Sequence, residues 1–81
     1  MNEVTIYTKN QCVQCMMTKK TLAQYGVDFV EKNIEEDPEA LAFLRAEGFQ
    51  AVPVLFAEGM EPVQGFRPDV LTALAKAQAA I

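Results

Sequence analysis

Two cysteines carry the chemistry of this chain. They stand as Cys12-Val13-Gln14-Cys15, and no other cysteine occurs. A β-branched and aromatic run, Val4-Thr5-Ile6-Tyr7, precedes them, and a helical pattern from Val13 to Tyr25 follows. At a helix start such a pair can cycle between dithiol and disulfide. Unpaired backbone N–H groups and the positive end of the helix dipole stabilise a thiolate there. A free cysteine titrates near about 8.5, and helix N-termini or nearby cations lower that to roughly 3.5–7.5. Cys12 is therefore the expected nucleophile, with Lys9 adding positive potential from three residues upstream. Cys15, about one turn inside the helix, is the expected resolving thiol, more buried and placed to attack the mixed disulfide from within.

Other uses of two cysteines compete with this one. Free cysteine packs as a small hydrophobe, but Cys12 falls in a turn and not on an apolar face. A zinc site wants four ligands, and this chain has two cysteines and no histidine, so only a dimer or an added ligand could complete one. A purely structural disulfide would close too small a loop to constrain the unfolded chain much. The missing histidine also removes Cys-His and Ser-His-Asp catalysis, and there is no Gly-rich phosphate loop.

The elements that must position the pair follow from periodicity and breakers. Val4 to Tyr7 is the first strand. The helix after it is expected to turn Cys15, Leu22 and Tyr25 inward and to end at Gly26. Asp28 to Ile34 alternates well enough for a second strand, parallel to the first across a right-handed crossover. Asp37-Pro38 opens a second helix with an acidic N-cap and proline at the first position. Ala40, Leu41 and Leu44 form its buried stripe, Gly48 closes it, and Phe49 makes the hydrophobic contact beyond the cap. Pro53 to Ala57 is a third strand, Glu58 to Glu61 a turn, and Pro62 to Gln64 a short edge strand. Pro68 opens the last helix, with Asp69 in its first turn and Val70, Leu71 and Leu74 inward. The order β-α-β-α-β-β-α predicts an α/β fold, a four-stranded mixed sheet flanked by three helices, in one domain over 1–81.

Composition narrows the function classes. Hydrophobic residues make up 51% of the 81, enough for a small core without staples. Net charge is −4, from seven basic and eleven acidic residues, and the acids gather at Glu31, Glu35, Glu36, Asp37 and Glu39. The scattered cations make neither a nucleic-acid footprint nor a polybasic membrane surface. With no basic leader, no long apolar run and no transmembrane length, a cytoplasmic location is expected. There a disulfide that forms is usually transient and catalytic.

Two further constellations stand out. Val52-Pro53 opens the third strand, and a cis bond there would leave the Val52 backbone free to pair with an extended substrate, although trans is the general rule for X-Pro. Gly65-Phe66-Arg67-Pro68-Asp69 is a helix entry that also places an aromatic and a cation in a turn, residue types that suit partner docking.

Taken together, Ile6-Tyr7-Thr8-Lys9, Cys12-Val13-Gln14-Cys15, Val52-Pro53 and Gly65-Phe66-Arg67-Pro68-Asp69 resemble the NrdH-redoxins, small glutaredoxin-like proteins of thioredoxin-like fold and activity. The resemblance covers essentially the whole chain. It implies a protein disulfide reductase that donates electrons to the large subunit of a class Ib ribonucleotide reductase and is re-reduced by thioredoxin reductase. It also implies a monomer whose only redox group is the Cys12-Cys15 pair, with no other cofactor and no metal. Pro53 becomes the expected cis-proline beside the cysteines, and Lys9, Val13, Gln14, Val52, Gly65, Phe66 and Arg67 join it as substrate- or partner-contacting residues. Where the family commonly has Trp-Ser, this chain has Val63-Gln64. Glutathione-using glutaredoxins commonly carry Cys-Pro-Tyr-Cys and a Gly-Gly pair; Val13-Gln14 and Gly65-Phe66 stand in those places, while Lys9 matches a lysine of both groups. A glutathione-dependent glutaredoxin and a metal or cluster carrier bridged through Cys12 remain the alternatives.

Overall fold

The β-branched run near the start of the chain becomes the inner strand on which the sheet is built. In the computed structural model, which describes residues 3–79, β1 (Val4–Thr8) pairs in parallel with β2 (Val30–Asn33) and antiparallel with β3 (Val54–Ala57). β4 (Val63–Gln64) adds antiparallel to β3, and the strand order is β2-β1-β3-β4. Three helices complete the fold: α1 (Val13–Gln24), α2 (Pro38–Ala46) and α3 (Pro68–Ala79). This is the expected four-stranded mixed sheet with three helices. None of the described helices is long and apolar enough to cross a membrane.

Strand alternation splits the core into two layers. Val4, Leu55 and Ala57 point to one face and pack against Leu22 of α1 and Leu71 and Leu74 of α3. Tyr7 and Val54 point to the other and pack against Ala40 and Leu44 of α2. Each fully buried leucine in such a layer contributes about 1.5–3 kcal/mol. Four rings thicken the α2 side. Phe56 lies edge-on to Tyr7 and to Phe49, with centroids 5.3 and 5.9 Å away, and Phe43 stacks on Tyr7 at 5.6 Å.

The helix boundaries follow local chemistry. Asp37 caps α2, its carboxylate accepting from the N–H groups of Glu39 and Ala40 at 3.1 and 3.2 Å. At the other end the Phe49 N–H reaches back to the Leu44 carbonyl at 3.0 Å, and the Phe49 ring joins the α2 layer as expected. α1 ends in the same pattern, with Val27 N–H bonded to the Leu22 carbonyl at 3.0 Å.

Several expectations need correction. Tyr25 does not face inward. Its amide still bonds the Thr21 carbonyl at 3.1 Å, but ten residues at about 100° each set it roughly 80° around the helix from Cys15; it is 47% exposed, and its hydroxyl meets Thr72 Oγ1 at 3.2 Å. The buried stripe of α1 is instead Cys15, Thr18 and Leu22. β2 begins at Val30, because Val27 and Phe29 are drawn into the core as irregular chain after the helix cap. Leu41 and Val70 are half-buried at the margins of their stripes. β3 and β4 also start one residue later than expected, after Pro53 and Pro62, which have no N–H to give to a ladder.

Candidate active site

The site is built on the turn from β1 into α1. Cys12 is the N-cap of α1, with extended backbone at φ −113° and ψ 106°, and its Sγ accepts the backbone N–H of Cys15 at 3.2 Å. Its carbonyl takes the first helical bond, from the Met16 N–H at 3.1 Å. The two cysteines are joined as a disulfide with Cα atoms 5.2 Å apart. Cys12 is 9% exposed and Cys15 1%, so any partner meets the Cys12 sulfur first. The N–H that points at Cys12 Sγ is an orphan donor of the helix start, placed to favour negative charge on that sulfur.

The turn before Cys12 is held from a distance. Gln11 sits at φ +56°, a left-handed conformation costing a non-glycine residue roughly 1–2 kcal/mol. The next turn of the chain steadies it. Asn10 N–H donates to Glu35 Oε1 at 2.8 Å, and Asn33 Nδ2 donates to Asn10 Oδ1 at 2.9 Å. Below the turn, the buried Thr8 hydroxyl donates to Glu31 Oε2 at 2.7 Å, and Lys19 Nζ reaches the same oxygen at 2.9 Å. These two donors, Lys19 foremost, hold the Glu31 carboxyl below its usual value. The network ties β1, β2 and α1 together. Of the acid group noted in the sequence, Glu31 and Glu35 thus have positioning roles that charge counting did not suggest.

The distant loop expected near the cysteines does arrive there. The Val52–Pro53 bond is cis, as expected, and Pro53 is fully buried. The Pro53 carbonyl accepts the Gly65 N–H at 2.8 Å. Gly65 in turn lies against Gln14, whose Oε1 would be 3.7 Å from a Cβ at that position. Gln14, Gly65 and Pro53 therefore form one contiguous strip leading away from the disulfide. Phe66 is half-buried and packs against the α1–α3 layer. Arg67 is exposed and lies 3.4 Å from Asp69, whose carboxyl it holds below its usual value.

Lys9 and Val52 meet in a separate cleft of about 390 Å³. Its walls include Leu41, Phe49 and Gln50, and it carries a second cation, Arg45, which sequence reasoning did not single out. Among the described residues neither Lys9 nor Arg45 has a carboxylate within ion-pair distance. Val13 is 70% exposed and begins a second missed feature, an outward apolar stripe with Met16 and Met17. Among the described residues no three metal-ligating side chains of His, Cys, Asp or Glu type come together.

A vicinal cysteine pair at a helix N-cap, reversible between dithiol and disulfide and backed by this sheet, defines a thiol–disulfide oxidoreductase of thioredoxin-like fold. The glutaredoxin family model matches residues 4–61. The glutaredoxin-like protein NrdH of Escherichia coli K12 is 45% identical over 71 residues, spanning 88% of this chain and 86% of that protein. The protein of the same name from Lactococcus lactis subsp. cremoris is 43% identical over 72 residues, spanning 89% and 99%. A solved structure of NrdH-redoxin from Escherichia coli superposes with a TM-score of 0.83 at 44% identity, covering 89% of this chain and 93% of that one; it is described as having a thioredoxin-like activity profile. The chain belongs to the NrdH-redoxin branch of the glutaredoxin family.

Proposed function

We propose that this redoxin is a cytoplasmic, monomeric dithiol electron donor to the large subunit of a class Ib ribonucleotide reductase, recycled by thioredoxin reductase. The observation that carries the reading is the run of contacts from Gln14 to Gly65 and on to the Pro53 carbonyl, which brings together three of the four segments that resemble the NrdH-redoxins. The Cys12 thiolate attacks one sulfur of the partner's disulfide. One partner sulfur leaves as a thiolate and takes up a proton, and a mixed disulfide remains. Cys15, deprotonated, then attacks Cys12 Sγ and the second partner thiol leaves. The partner gains two electrons and two protons, and the redoxin ends as the Cys12–Cys15 disulfide. No cofactor beyond that pair enters. Val13, Gln14 and Gly65 offer the surface against which an extended partner chain lies, and the Val52 backbone pairs with that chain. Phe66 supports it from the core side, and Arg67 offers a cation at its end.

One observation favours a second reading, in which glutathione is the reductant. The cleft shared by Lys9, Arg45, Gln50 and Val52 offers a small molecule with two carboxylates two cations that have no ion-pair partner among the described residues. NADPH oxidation coupled to a disulfide substrate separates the readings. One arm contains thioredoxin reductase, the other glutathione with glutathione reductase. Efficient turnover in the first arm is expected, together with support of class Ib ribonucleotide reduction; turnover confined to the second makes the protein a glutathione-dependent glutaredoxin.

A further inference from the structure

α1 is apolar on two sides. Cys15, Thr18 and Leu22 face the sheet, while Val13, Met16 and Met17 fall at i, i+3 and i+4 on the opposite side and are 70%, 62% and 43% exposed. Lys20 continues that outer stripe at i+7. A helix with apolar residues on both sides is one that is covered on both, and no segment of the described chain covers this one. Val13, Met16 and Met17, with Lys19 and Lys20 at the rim, line a shallow depression of about 520 Å³. The Lys19 ammonium is held by Glu31 at 2.9 Å, whereas among the described residues Lys20 has no carboxylate partner. In a chain of net charge −4, this rim is a local positive site.

We propose that the Val13–Met16–Met17–Lys20 stripe docks a protein disulfide substrate whose chain beside the reacting cysteine carries apolar side chains followed by an acidic one. The proposal rests on the dithiol-donor reading. Val13 lies between the two cysteines, so a chain joined to Cys12 in the mixed disulfide starts on this stripe. Helical rise puts Lys20 about 12 Å along α1 from Cys12, a distance that roughly four extended residues span. Methionine is unbranched and polarisable, and it accepts differently shaped apolar groups. Met16 and Met17 therefore supply tolerant contact, and Lys20 supplies the selective one. A second copy of this chain is the poorer occupant, because a two-fold contact would set Lys20 against the same face and close off both cysteine pairs.

The test uses two synthetic peptides with the same intramolecular disulfide. One carries flanking arms of two leucines and two glutamates, the other arms of glycine and serine. Pre-reduced protein is mixed with each in a stopped-flow instrument, and with the small uncharged disulfide 2,2′-dithiodipyridine as a control. Wild type should reduce the apolar–acidic peptide roughly tenfold faster than the neutral one, the equivalent of about 1.4 kcal/mol of docking. The double variant Met16→Ser, Met17→Ser and the single variant Lys20→Glu should erase most of that ratio and leave the 2,2′-dithiodipyridine rate unchanged. Wild type without a preference, or variants that keep it, would overturn the docking surface. A concentration-dependent dimer that Met16→Ser abolishes would overturn it in favour of a second copy. Failure of reduced wild type to react with 2,2′-dithiodipyridine would instead sink the dithiol-donor reading, and the docking proposal with it.

Discussion

The Gly65 N–H donates to the Pro53 carbonyl across 2.8 Å, so the turn before the last helix is pinned to the segment that opens β3. Gly65 holds φ +86°, and its α-carbon faces Gln14, from the middle of the cysteine motif. Space is not the constraint here, since a Cβ would meet Gln14 Oε1 at an ordinary 3.7 Å. Conformation is. Gly65→Ala should cost about 1–2 kcal/mol through the left-handed backbone alone. Urea unfolding of the oxidised protein measures the loss, and an unchanged midpoint would mean that the turn relaxes freely. Partner reduction should fall too, because the turn that backs Gln14 would shift.

The exposure of Cys12 and the burial of Cys15 divide the labour between them. Cys12→Ser should abolish disulfide reduction. Cys15→Ser should attack once and stall as a mixed disulfide that non-reducing electrophoresis and intact mass will show. In the reduced wild type, iodoacetamide should label Cys12 well before Cys15. Trapping through Cys15 in the Cys12→Ser variant would reverse the assignment.

Glu31 should contribute stability that depends on pH in a predictable direction. Lys19 and Thr8 hold its carboxyl below the usual value of 4.5 in the folded chain. A carboxylate depressed by folding stabilises fully above its unfolded value, and the contribution disappears as pH falls through the lower folded value. The Glu31 side chain is 35% exposed, so solvent screens the ion pair and its share is about 1 kcal/mol or less. Glu31→Gln should lower stability by that amount near neutral pH, and the gap to wild type should narrow progressively as pH falls below 4.5. Glu31→Ala should cost more, about 1–3 kcal/mol, by leaving the buried Thr8 hydroxyl unpaired. Denaturant midpoints for the three proteins between pH 3 and 7 decide it; a gap that persists undiminished at low pH would assign the effect to packing.

Much of this molecule is legible without coordinates because its signals are local. The cysteine spacing, the Asp37-Pro38 cap, the glycines after α1 and α2 and the alternation of β1 each concern residues within a few positions of one another. Chain geometry alone converts such patterns into elements, and the right-handed crossover rule orders them into the sheet. Boundaries are less secure where tertiary contact competes with propensity, as at Val27 and Phe29, which the core takes from β2, and at Tyr25, which helical rotation carries away from the Cys15 side toward solvent.

The supports of the site depend on sheet register, which brings together residues far apart in sequence. Glu35 holds the Asn10 amide from 25 residues away, and Glu31 reaches Thr8 from 23. In the chain these carboxylates read only as an acidic run. Spacing turned Cys15 and Leu22 of α1 inward, as the structure has them, but it did not reveal the open stripe on the opposite side. Val13, Met16 and Met17 repeat at helical intervals as well as any core stripe, and it is the sheet's grip on Cys15, Thr18 and Leu22 that leaves them facing out. Spacing along one helix identifies its faces, but only packing against the other elements decides which face is buried and which remains to meet a partner.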